Sequence, residues 1–186
     1  MNQIKRREAL KKVGYLLGGV VSAPVLLNTL QGCVPEPGLS WTPQLFTEEE
    51  ANVVTKMVDL IIPKTDTAGA VELGIPKYIE DMVRLVYPSR KGEFTKGLAN
   101  FLKACESKMG SAFLDLDQED QFDYLSQLNK NANRQSFYYK IKELSVTGFA
   151  VTEVGATQVM QYVAIPGNWD GCLPVDEMGG KRWATR

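Results

Sequence analysis

The 186-residue chain contains no histidine. That absence removes the Ser-His-Asp triad, the Cys-His dyad, the common histidine metal sites and the CxxCH haem attachment. Its three cysteines, Cys33, Cys105 and Cys172, are too few for an iron–sulfur cluster held by four thiolates. No G-x-G-x-x-G and no P-loop occurs. Basic excess is also missing: the chain has 21 Lys and Arg against 22 Asp and Glu. Five of those bases and one of those acids lie in the first 32 residues, so the remainder carries 16 bases and 21 acids. Nucleic acid is therefore not an expected partner. With so little catalytic equipment, the chain reads as a partner or scaffold more than as an enzyme.

What is present begins at the amino terminus. The pair Arg6-Arg7, followed by Leu10 and Lys11, matches a twin-arginine pattern, an address used for bacterial export, with Lys5 and Ala9 standing where the pattern usually has Ser or Thr and Phe. A mild apolar stretch follows, broken by Gly14, Gly18, Gly19, Pro24 and Asn28. A spanning helix wants about 20 mostly apolar residues without such breaks, so a signal peptide fits better. Leu30-Gln31-Gly32-Cys33 then matches a lipobox, in which Cys33 is acylated after cleavage. An ordinary secretory lipoprotein signal with two adjacent arginines is the alternative. Val34-Pro35-Glu36-Pro37-Gly38 supplies a tether. One acyl chain binds membranes marginally, whereas two or three anchor stably. The expected organisation is a signal over residues 1–32, a tether over 33–44 and one domain over 45–186. The expected location is the periplasmic side of a membrane, held by lipid.

Helical periodicity runs through the rest, predicting an all-α domain of about five or six helices with a long C-terminal coil. Thr47 and Glu50 form a capping box, followed by Val54, Met57, Val58 and Ile61 on one face until Pro63. Pro76 suits the first turn of a second helix with Ile79, Met82, Val83 and Val86 inward, ending near Pro88. Ser89 is the expected cap of a third, burying Phe94, Leu98, Phe101, Leu102, Cys105 and Met109 before Gly110. Asp117 and Asp120 open a fourth with Phe122, Leu125 and Leu128. A fifth starts near Asn133 with Phe137, Ile141 and Leu144 inward, and Thr152 or Thr157 starts a short last one.

The run Asp59-Leu-Ile61-Ile62-Pro63-Lys-Thr-Asp66-Thr-Ala68-Gly69-Ala70-Val-Glu-Leu-Gly74-Ile75-Pro76 is distinctive. Together with Thr147-Gly148-Phe149, Gly155 and Tyr162-Val-Ala-Ile-Pro166-Gly167-Asn-Trp169-Asp-Gly171, it resembles the gluconate 2-dehydrogenase subunit 3 family. Ala68 departs from the usual proline. The resemblance covers roughly residues 44–175. It implies a non-catalytic small subunit of a membrane-associated sugar dehydrogenase. The implied partner is a flavoprotein of the glucose–methanol–choline type that holds FAD, with a cytochrome c or another carrier taking the electrons. The small subunit would assist folding, export and membrane tethering of that partner, and would itself hold no cofactor or metal.

Single residues leave alternatives open. Cys105 lies on an apolar stripe, where a buried inert thiol is expected. Cys172 has three fates in an oxidising compartment: pairing with Cys105, pairing with a partner's cysteine, or burial. Trp41, Trp169 and Trp183 fall outside the helices, where tryptophan either folds back on the core or anchors an interface. Asp59 and Asp66 bracket Pro63. Structural roles fit them better than acid–base catalysis: Asp59 bonding the amides of the following loop and Asp66 making a turn. Tyr138 or Tyr139 is a candidate partner contact. Two competing readings remain: an oxidoreductase in its own right, or a stand-alone envelope lipoprotein that binds sugar or scaffolds other proteins.

Overall fold

The first described helix begins where Thr47 and Glu50 satisfy each other. The Thr47 hydroxyl accepts the Glu50 N–H at 3.2 Å, and the Glu50 carboxylate accepts the Thr47 N–H at 2.9 Å. This box starts α1, Glu48–Ile61, whose first turn holds three glutamates at the positive end of the helix dipole. Ala51, Val53, Val54, Met57 and Val58 are buried, while Ile61 is half-buried at its end. A computed structural model describes residues 39–165, 167, 172, 174, 176, 177 and 179–182. The chain divides into two units, 1–40 and 41–186, and the described helices belong to the second.

Helix α2, Ile75–Asp81, starts after Gly74, whose φ of 73° is left-handed, and carries Pro76 in its first turn. It runs into a π turn, Met82–Val86, closed by the Tyr87 N–H on the Met82 carbonyl at 2.9 Å. The wider turn corrects the expected stripe. Ile79 and Val83 are buried, but Val86 is 55% exposed, because one extra residue per turn rotates it off the inward face. A 3₁₀ turn, Pro88–Arg90, then leads into α3, Lys91–Met109. Ser89 lies inside that turn and does not cap α3; Arg90 stands at the cap position without a side-chain bond. Phe94, Leu98, Phe101 and Cys105 are buried, with Leu102 and Met109 half-buried on the flank. Gly110, at φ 78°, ends the helix.

Phe113–Asp115 makes another 3₁₀ turn before α4, Gln118–Lys130, which Asp117 caps by accepting the Asp120 N–H at 2.8 Å. The inward face of α4 is Gln121, Tyr124 and Leu125. Phe122, expected inside, is 55% exposed. The reason is a buried bond: the Gln121 side-chain amide donates to the Phe113 carbonyl at 2.8 Å and sets the rotation of the helix. Asn133 forms a turn by accepting the Gln135 and Ser136 N–H groups, so α5 begins later, at Phe137–Ala150, capped by Ser136. Tyr138, Ile141, Ser145 and Gly148 are buried, whereas Phe137 and Leu144 are half-buried. A π turn, Gly155–Val159, follows, and the Thr152 hydroxyl accepts the Gly155 N–H at 3.0 Å.

Helix α5 is the centre of the arrangement and packs against α1, α2, α3 and α4. Phe46, Phe94, Phe137, Phe101 and Tyr124 form a chain of ring contacts at 5.2–5.9 Å, with Phe113 branching from Phe101. Each such contact adds about 0.5–1.5 kcal/mol beyond area burial. Among the described residues there is no β-strand; the nearest thing is one backbone bond, Gln161 N–H to the Arg182 carbonyl at 2.8 Å. The domain is all-α, as its periodicity predicts.

Candidate functional site

The α1–α2 connection carries the distinctive run, and the chain folds back on itself there. The Ala70 N–H reaches the Ile62 carbonyl at 3.0 Å, and the Ile75 N–H reaches the Ala70 carbonyl at 3.0 Å. Ala70 is completely buried. A Cβ on Gly69 would stand 2.7 Å from the Lys64 nitrogen, so only glycine fits this backbone approach. The carboxylate that braces the loop is Glu72. It accepts the Gly69 N–H at 3.3 Å and pairs with Lys64 at 2.6 Å, and the Lys64 bond holds its pKa below the usual carboxylate range.

Asp59 and Asp66 do not take the roles expected of them. Among the described residues neither side chain has a hydrogen-bond partner, and the turn beyond Pro63 is made by the Thr65 N–H on the Thr67 carbonyl at 3.1 Å. Asp59 is half-buried at the end of α1 and Asp66 is exposed. The periodicity misplaces the bracing carboxylate because a residue six positions past Asp66 gives no local sign of reaching back to Gly69.

A second carboxylate escaped sequence reasoning altogether. Glu80 is 2% exposed, and one of its oxygens accepts the N–H groups of Gln44, Leu45 and Phe46 at 2.9, 2.6 and 3.0 Å. It staples the segment before α1 onto α2, next to the Phe46–Phe94 stack. A buried carboxylate needs such donors. Nothing local marks it, since Glu80-Asp81 reads as the wet side of a helix and its donors lie more than 30 residues away.

Two glycines of the C-terminal motif, Gly148 and Gly155, are also closed by packing, whereas Gly167 faces open space. A Cβ on Gly148 would lie 2.6 Å from the Tyr78 ring, and one on Gly155 would lie 2.0 Å from the Phe149 carbonyl oxygen. Gly148 therefore sets the close approach of α5 to α2. Cys105 is a buried free thiol whose pKa burial pushes up, which makes it a poor nucleophile. Burial, with a smaller contribution from Cys105, pushes the Tyr124 phenol up to about 12. Tyr138 is buried, so of the two candidate contact tyrosines it is Tyr139, half-buried, that reaches the surface. Trp41 is half-buried and Cys172 is exposed. Arg6, Arg7, Cys33, Trp169 and Trp183 lie outside the described residues.

Among the clefts of the described residues, two are lined by core aromatic or motif side chains. One of about 430 Å³ lies between α3, α4 and α5 and is lined by Phe101, Tyr124 and Phe137 with Asn100, Asn131 and Gln135. The other, about 260 Å³, opens between α2 and α5 beside Tyr78, Met82, Tyr87 and Leu144. Gly97, in the lining of the larger cleft, faces the Phe137 ring at 2.9 Å from where a Cβ would stand. A glycine-rich dinucleotide-binding turn keeps its backbone open to the phosphates, whereas Gly97 lies within α3 and faces a ring. Among the described residues no three His, Cys, Asp or Glu side chains cluster as metal ligands. No described helix is long and apolar enough to cross a membrane.

The family model for gluconate 2-dehydrogenase subunit 3 matches residues 48–167, which take in α1 to α5, the first motif segment and the second as far as Gly167. The chain belongs to the gluconate 2-dehydrogenase subunit 3 family, and so to a family of small accessory subunits of a dehydrogenase. No curated protein and no solved structure matches it.

Proposed function

We propose that this chain is the non-catalytic small subunit of a flavin-dependent sugar dehydrogenase, and that it assists folding, export and membrane tethering of the FAD-bearing subunit. The observation that carries this reading is the family match across the helical domain. The site agrees with it: the residues that make the family motif distinctive are spent on packing the chain against itself. The partner is a glucose–methanol–choline-type flavoprotein, whose FAD supplies the oxidation of the sugar, and a cytochrome c receives the electrons. Arg6-Arg7 addresses the folded complex for export to the periplasm, and Cys33 anchors it by lipid. A flavoprotein folds around FAD in the cytoplasm, so a route for folded proteins and one shared signal suffice for both chains.

Affinity purification of the tagged chain from membranes tests the assignment. A flavin-bearing polypeptide is expected to co-purify, while the chain alone shows no flavin absorbance and no sugar oxidation. Flavin bound to the isolated chain would overturn the accessory reading. A Cys33→Ala change is expected to release the domain from membranes. A second reading, a stand-alone sugar-binding lipoprotein, is favoured by the aromatic and amide side chains of the 430 Å³ cleft. Calorimetric titration with glucose and gluconate decides it, because an accessory subunit gives no heat of binding.

A further inference from the structure

The turn after α2 gathers exposed apolar and basic side chains in one short segment. Residues 85–93 are all exposed, and they include Leu85 at 61%, Val86 at 55% and Tyr87 at 40%. The π turn puts these three large apolar side chains outward together. Residues 82–92 also hold Arg84, Arg90 and Lys91 and no acid, in a chain whose residues 33–186 have more acids than bases. The flanking acids are already engaged: Asp81 with Lys77 and Arg84, and Glu93 with Lys140. The Arg90 guanidinium lies 5.7 Å over the Tyr87 ring, which holds charge and aromatic side by side. Two backbone amides at its centre are satisfied within the turn, Tyr87 N–H on Met82 and Arg90 N–H on Tyr87, both at 2.9 Å. Such a turn enters an interface without stranding those donors.

We propose that the turn from Leu85 to Lys91 is a contact for an anionic phospholipid surface. Leu85 and Val86 enter the boundary between headgroups and acyl chains, Tyr87 sits at headgroup level, and Arg90 and Lys91 meet lipid phosphates. Apolar insertion combined with basic attraction is how a peripheral domain binds a membrane surface. A run of bases without acids, joined to exposed apolar side chains, is complementary to an anionic bilayer. The inference goes beyond the lipid anchor and rests on the export reading only for bringing the domain to a membrane. In that arrangement Cys33 holds the domain near the bilayer and the turn sets its orientation.

Hydrogen–deuterium exchange on the full chain carrying Cys33→Ala, with vesicles of phosphatidylglycerol or of phosphatidylcholine alone, tests it. Reading the peptide over residues 85–93 separates this contact from any binding by the apolar leader. Slowed exchange there is expected with phosphatidylglycerol and not with phosphatidylcholine, and roughly 1 M salt should abolish it. Each basic residue near such a surface strengthens binding about fivefold, so Arg90→Ala with Lys91→Ala should cut the phosphatidylglycerol preference about 25-fold. Leu85→Asp should remove the protection as well. These side chains are exposed, and unchanged circular dichroism verifies that the variants fold. Unprotected 85–93 on vesicles that bind the chain elsewhere would overturn the proposal. So would protection of this peptide by the co-purified flavoprotein and not by vesicles. Either result leaves the accessory-subunit reading standing, since that reading is decided by co-purification.

Discussion

The loop between α1 and α2 and the turn after α2 lie close in sequence and are built to opposite plans. In the loop, Gly69 admits no side chain, Ala70 is completely buried, and Glu72 braces the backbone. In the turn, Leu85, Val86 and Tyr87 face outward among basic residues. A segment whose side chains are consumed by its own fold acts as framework. One that exposes large apolar groups is shaped for something outside the chain. The distinctive sequence run, through Gly69, Ala70 and Glu72, belongs to the framework.

Substitutions in the framework should be costly and those in the turn nearly silent in the isolated chain. The largest effect is expected at Glu80. Glu80→Ala strands three backbone donors, and the loss should be about 3 kcal/mol or more in urea unfolding. Glu80→Gln keeps one acceptor oxygen and should lose less; an equal loss would mean that charge, not acceptance, matters there. Gly69→Ala should follow at about 1–3 kcal/mol, because the added Cβ meets backbone that cannot swing away. Thr47→Ala removes one half of the capping box and should cost about 1 kcal/mol. Val86→Ser should stay within about 0.5 kcal/mol of wild type. A large loss at Val86 would break the comparison by placing the turn in the framework.

The pH dependence is the finest test. Lys64, Lys77 and Lys140 hold the pKa values of Glu72, Asp81 and Glu93 below the usual range, each chiefly through a side-chain hydrogen bond. A depressed carboxylate adds stability above its unfolded pKa and loses it as pH falls through the folded one. Thermal midpoints should therefore drop slightly on acidification below about pH 4, by little because these pairs are exposed. At the other end, Tyr124 ionises in the unfolded chain near pH 10 but in the folded chain only at about 12. Stability should thus fall across that interval, and Tyr124→Phe should flatten the fall.

Most of the framework was legible in the sequence because its signals are local. The Thr47 box, Pro63, Pro76, the Gly110 stop and the Asp117 cap act within a few residues and appear where expected. Departures arise where distance or backbone geometry decides. Val86 turns outward because a π turn adds a residue that a 3.6-residue period cannot anticipate. Phe122 is displaced by Gln121, a polar residue drawn inward by a carbonyl eight positions earlier. Glu80 is silent because its donors come from the segment before α1. The candidate surface was less legible than the fold, since exposure of an apolar turn is a property of the assembled domain.

The central claim, that this chain carries and anchors a catalytic flavoprotein, is tested most directly by fractionating cells that express the Arg6→Lys and Arg7→Lys double variant. FAD and sugar-dehydrogenase activity should disappear from the periplasmic membrane fraction and accumulate in the cytoplasm with this chain. Flavoprotein that still reaches the periplasm in the variant would contradict the account.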